Sequence, residues 1–240
     1  MNNAAKKLII ALDDLNFADC CALVEKTRDF AATYKIGVSL FCAHGPTIVK
    51  ELKSYGVDIF LDLKLHDIPM QVSKAVEQAI DLEPKFLTLH ALGGYTMLKE
   101  AAHVACGSKT QLLAVSVLTS MDEEQWRILG FADSVKDGVE RLIVMSYEAG
   151  VRAFVSSPHE AASLKKLFKN DCIAVCPGVR PADAQHDDQK RIMTPYQAIN
   201  NGADFLVVGR PITKSADVVM SAGNINAEIN KALNEARNQE

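Results

Sequence analysis

Ile59-Phe60-Leu61-Asp62-Leu63-Lys64-Leu65-His66-Asp67 opens as an apolar run and closes as a cluster of charge. An apolar run without strict alternation fits a strand of a parallel sheet, which is covered on both faces. In an extended chain residues two apart share a face, so Asp62 and Lys64 project together while Leu63 packs the other way. Outward from this stretch, similar runs recur at Leu8–Leu12, Tyr34–Ile36, Phe86–His90, Leu112–Val117, Ala153–Val155, Ile173–Val175 and Phe205–Val208, with the third strand itself placed at Ile59–Leu63. Between them, Phe17–Thr33, Thr47–Tyr55, Val72–Ile80, Tyr95–Ala105, Gly138–Glu148, Glu160–Phe168 and Ala227–Arg237 carry apolar residues at helical spacing. Strand and helix therefore alternate.

Eight such strands in 240 residues predict a single (β/α)8 TIM barrel spanning residues 1–240, since these barrels run to roughly 250 residues. An open doubly wound sheet has fewer strands and a glycine-rich first turn, whereas Ala11-Leu12-Asp13-Asp14-Leu15 holds no glycine. Low-complexity segments, linkers and charge blocks are absent from the sequence.

Hydrophobic residues make up 48% of the chain and charged residues 23%, enough for a large core under a solvated exterior. A net charge of -4 argues against a nucleic-acid partner, which calls for a concentrated basic surface. The apolar stretch Leu8–Leu12 falls short of the roughly 7–15 residues of a signal-peptide core, and no run reaches the roughly 20 of a membrane span, so cytoplasmic residence and no membrane partner are expected. The six cysteines are scattered through apolar segments and read as free thiols. Cys172 and Cys176 lack the spacing of a zinc pair, and no metal is expected.

In an α/β barrel the chemistry sits where strands end. The first run leads to Asp13, the second holds Lys35, the third ends in Asp62, Lys64 and Asp67, the fourth ends at His90, and the fifth leads to Thr119. A lone Asp-x-Lys is most simply a structural ion pair. Lys35 and Asp67 extend it into an array of alternating charge, costly to bury unless fully paired, which points to a functional site. An ammonium set between carboxylates can act as cation and general acid. The last strand leads into Gly209-Arg210 and a helix, which reads equally as a phosphate site or as a plain turn with a surface arginine. The polar stretch from Cys176 to Arg191 is too long for a simple connector. It reads as a lid carrying Arg180 or Gln189 to a phosphate, or as a solvated loop. His66, His90 and Trp126 are assigned no catalytic role, because such residues more often serve packing or hydrogen bonding.

Taken in order, Ala11-Leu12-Asp13, Lys35-Ile36-Gly37, Asp62-Leu63-Lys64-Leu65-His66-Asp67-Ile68-Pro69, His90-Ala91, Leu118-Thr119-Ser120, Pro177-Gly178-Val179-Arg180, Asp188-Gln189-Lys190-Arg191 and Val208-Gly209-Arg210-Pro211-Ile212 resemble the bacterial-type orotidine 5′-phosphate decarboxylase family over nearly the whole chain. The resemblance implies a charged catalytic network of Lys35, Asp62, Lys64 and Asp67, with Asp67 supplied across a homodimer interface. It implies that Asp13 binds the ribose, that Thr119 lies near the pyrimidine, and that Arg180, Gln189, Gly209 and Arg210 grip the phosphate. Ile68, Pro69 and Gln71 fall in its substrate-contacting turn. The family usually reads Asp-Ile-Pro-Asn-Thr there, so the amide of Gln71 stands in place of a threonine hydroxyl. The implied substrate and product are orotidine 5′-phosphate and uridine 5′-phosphate, with no cofactor. Two other readings are a magnesium-dependent sugar-phosphate lyase sharing the Asp-x-Lys-x-x-Asp spacing and a non-catalytic nucleotide-binding barrel.

Overall fold

The computed structural model describes residues 3–181 and 193–238, and strand and helix alternate along them. The elements are β1 (Leu8–Ala11), α1 (Phe17–Thr27), β2 (Thr33–Gly37), α2 (Val38–His44), α3 (Pro46–Ser54), β3 (Asp58–Leu65), α4 (Pro69–Ile80), β4 (Phe86–His90), α5 (Gly94–Ala105), β5 (Gln111–Val115), α6 (Glu123–Ile128), α7 (Val135–Glu148), β6 (Ala153–Val155), α8 (Ala161–Leu167), β7 (Ile173–Pro177), α9 (Pro195–Asn200), β8 (Phe205–Val208), α10 (Arg210–Thr213) and α11 (Val218–Arg237). The strands pair in chain order and close as a barrel, β8 returning to β1. Every expected strand is present. The parallel pairing matches the apolar runs, whose central residues such as Ile9, Ile36, Leu61, Leu87 and Leu113 are fully buried.

By internal contacts the chain divides into two compact units, Met1–Asp62 with Ser156–Glu240, and Leu63–Val155. In the first unit, the register sets Ala11 against Lys35, Gly37 against Asp62 and Ile10 against Val208. The Asp204 carboxylate ties the start of β7 to α8: it accepts from the Lys165 ammonium at 2.5 Å and from the Ala174 N–H at 2.8 Å. The final helix starts at Val218 rather than at Ala227, because Asp217 caps it there, its carboxylate accepting from the N–H groups of Val219 and Met220. Asn226 on the same helix donates to the Phe30 carbonyl at 2.7 Å.

In the second unit, β4 and β5 run in register from Phe86 against Gln111 to His90 against Val115. The fifth strand stops at Val115, short of the expected Val117, so Thr119 lies in an exposed turn beyond it. Helix α6 was not foreseen from periodicity: it has only 6 residues and is defined by its cap, with Asp122 accepting from the Gln125 N–H. It buries Trp126, which stacks on Phe131 at 3.9 Å between centroids. Helix α7 passes over that indole at Gly138, where an added Cβ would lie 2.3 Å from Cζ2 of Trp126. Among the described residues no helix is long and apolar enough to cross a membrane.

Gly138→Ala sets two effects against each other. Alanine gains up to about 1 kcal/mol of helix propensity, whereas overpacking a filled core costs about 1–3 kcal/mol. Because Trp126 is fully buried and cannot retreat to solvent, the clash is expected to win. Calorimetry should show a lower melting temperature for the variant.

Candidate active site

Within the first unit, β1, β2 and β3 bring three charged side chains together. The Lys35 ammonium donates to both carboxylate oxygens of Asp13, at 2.8 and 2.9 Å, and lies 3.3 Å from Asp62. Lys35 and Asp62 are largely withdrawn from water, with side chains 10% and 14% exposed, whereas Asp13 is 53% exposed. Of the four residues expected to form the array, Lys35 and Asp62 lie together here, and Asp13, expected as a ribose contact, joins them through Lys35. Gly37 makes the arrangement possible: a Cβ there would lie 2.8 Å from the Asp13 carboxylate and 3.6 Å from the Lys35 ammonium.

At the end of β7, Gly178 turns the chain with φ of 78°, a value that favours glycine. Val179 then bridges to Met193, and the Arg180 N–H donates to the Met193 carbonyl at 3.2 Å. Thr194 and Gln197 form a reciprocal capping box at the start of α9. The Arg180 residue is only 6% exposed, so it is a built-in cation rather than a surface one. Gly209 precedes α10, whose first residue, Arg210, is exposed. Gln189, the other expected phosphate contact, lies outside the described residues.

In the second unit, Lys64 is half-buried and departs from the extended backbone on which the two-residue alternation rests: its φ is 49°. That left-handed conformation costs a non-glycine residue roughly 1–2 kcal/mol. Its N–H donates at 2.8 Å to the hydroxyl of Thr88, a fully buried residue on β4. His66 stacks on His90 at 5.4 Å between centroids. Desolvation pushes the His90 imidazole below its ordinary value, and the charges of His66 and Lys64 push it the same way. Asp67 is exposed at the entry to α4, where its carboxylate accepts from the Ile68 N–H at 2.6 Å. Gln71, also exposed, sits in the first turn of α4 behind Pro69.

Sequence reasoning did not foresee the contact of Thr88 with Lys64, the close approach of Asp13 to Gly37, or the stacking of His66 on His90. A threonine between Leu87 and Leu89 is an ordinary strand residue by composition. The available signal was its position two residues before His90, on the same strand face.

A parallel eight-stranded barrel with carboxylates and a buried lysine near the ends of its first strands defines a barrel of the enzyme type. The chain belongs to the orotidine 5′-phosphate decarboxylase / HUMPS family, whose model matches residues 6–225. An orotidine 5′-phosphate decarboxylase of Sphingopyxis alaskensis is 43% identical over 222 residues, 92% of this chain and 98% of that protein. One of Nitrosococcus oceani is 42% identical over 225 residues, 93% of this chain and 97% of that protein. Among solved structures, the orotidine 5′-phosphate decarboxylase from Lactobacillus acidophilus superposes with a TM-score of 0.83 at 33% identity, covering 94% of this chain and 99% of that one.

Unfolding releases His90 from its depressed value, so the unfolded chain takes up more protons in mild acid. The contribution of His90 to stability is complete above about 6.5, its ordinary value, and is lost as the pH falls through the folded one. Denaturant titrations between about pH 7.5 and 5.5 should show a smaller acid loss for His90→Gln than for the parent.

Proposed function

We propose that this protein decarboxylates orotidine 5′-phosphate to uridine 5′-phosphate in pyrimidine biosynthesis, as a cytoplasmic enzyme working as one catalytic domain without metal or organic cofactor. The observation that carries this reading is the match to relatives of that name at 42–43% identity over nearly the whole of both chains. The Asp13–Lys35–Asp62 array supports it, because it supplies fixed charge of both signs where such a reaction needs it.

The chemistry sets the requirement. When the bond from C6 to the carboxylate breaks, its electron pair stays on C6 in the ring plane, where the π system cannot spread it. An electrostatic partner must stabilise the developing carbanion. That partner is Lys64, whose ammonium faces C6, transfers a proton to it as carbon dioxide leaves, and is reprotonated from solvent. Asp62, Asp67 and Lys35 hold the charge balance around it. Asp13 takes the ribose and Thr119 lies toward the pyrimidine. Arg180, Gln189, Gly209 and Arg210 take the phosphate, whose binding energy is spent on closing the site against water.

The working form is assigned as a homodimer in which Asp67, Ile68, Pro69 and Gln71 face the partner's substrate. Supporting this, Ile68 and Met70 are apolar yet 59% and 56% exposed on either side of Pro69, beside the exposed Asp67.

Lys64→Ala is expected to fold and to lose essentially all decarboxylation, followed by the absorbance change of orotidine 5′-phosphate. The parent enzyme should run equally fast with chelator present, and a chelator-sensitive lyase acting on sugar phosphates would replace this reading. Gly37→Ala should leave the melting temperature nearly unchanged, because Asp13 is half-exposed and can swing outward, and a partly exposed pair contributes at most about 1 kcal/mol. The same variant should bind uridine 5′-phosphate more weakly by calorimetry, since the ribose contact has moved.

A further inference from the structure

We propose that Thr88 is a positioning residue for Lys64, and that its hydroxyl, rather than its bulk, sets the rate of decarboxylation. The inference rests on the assignment of Lys64 as proton donor. Lys64 adopts a left-handed backbone that a lysine rarely takes, so something around it must hold that conformation in place. The Thr88 hydroxyl meets the Lys64 N–H at 2.8 Å and thereby fixes the plane of the Leu63–Lys64 peptide. The lysine side chain departs from that plane, and a small rotation at its root is multiplied along four methylenes before it reaches the ammonium.

Thr88 can serve as a stable reference because it is fully buried, flanked by the fully buried Leu87 and Leu89 and paired in register with the fully buried Leu113. A surface hydroxyl would move with its own side chain, whereas this one moves only with β4. The residue makes no contribution to substrate recognition in this scheme. Its effect falls on the reacting geometry, where a misplacement of about 1 Å costs on the order of a hundredfold in rate.

The test compares the full-length parent with Thr88→Val, which keeps the shape and removes the acceptor, and Thr88→Ser, which keeps the acceptor and removes the methyl. Turnover of orotidine 5′-phosphate, KM, calorimetric affinity for uridine 5′-phosphate and melting temperature are measured for each. The valine variant is expected to lose at least about tenfold in kcat with KM and product affinity within about threefold of the parent, and serine is expected to recover most of the loss. If valine does not fold, Thr88→Ala takes its place beside serine with the same expectation. Parental kcat in the valine or alanine variant overturns the proposal. So does a serine variant as slow as valine, which would make the methyl packing responsible, and so does a parallel fall of kcat and product affinity. A parent enzyme that turns over no orotidine 5′-phosphate brings down the reading beneath and this inference with it, while an active parent and an unaffected valine variant remove this inference alone.

Discussion

A single buried ammonium organises the first unit. Lys35 is held by two carboxylates that come from either side of its own strand, Asp13 after β1 and Asp62 in β3. Desolvating a charge is costly, and only close partners offset it, so the withdrawn Lys35 and Asp62 depend on one another while the half-exposed Asp13 adds a partner from the water side. The parallel register fixes the arrangement, setting Ala11 beside Lys35 and Gly37 beside Asp62. Even the absence of a side chain at Gly37 belongs to it, since the Asp13 carboxylate occupies the space a Cβ would take. The barrel thus supplies backbone positions, and the charged set determines which residues can fill them.

The second unit solves a different problem. Its lysine takes a left-handed backbone conformation and a hydrogen bond to a buried hydroxyl, and the stacked His66 and His90 belong to the same unit. Desolvation keeps His90 uncharged near neutral pH, which spares Lys64 a second cation beside it. Of the two lysines assigned to one reaction, Lys35 is fixed by carboxylates at its ammonium, and Lys64 is also fixed at its backbone.

The fold was legible because apolar runs and helical spacing are repeated properties, each strand reinforcing the reading of the next. Elements defined by one capping side chain were less so. Asp217 extends the last helix back to Val218, and Asp122 starts a helix too short to show a period. For the candidate site, charge at strand ends singled out Asp13, Lys35, Asp62 and Lys64 as candidates, because such groups are conspicuous beside apolar runs. The alternation rule that paired Asp62 with Lys64 assumes an extended chain, and Lys64 is not extended. Thr88 and Gly37 stayed hidden for a related reason. One acts through a backbone bond and the other through an empty volume, and neither leaves a mark in composition.

The chain on either side of residues 182–192 is closed by its own bonds. Val179 and Arg180 are joined to Met193, and Thr194 then caps α9. Joined in this way, the exit from β7 and the approach to α9 hold each other directly. Strand and helix thus share one local fastening, and a change at Met193 would be felt at Arg180.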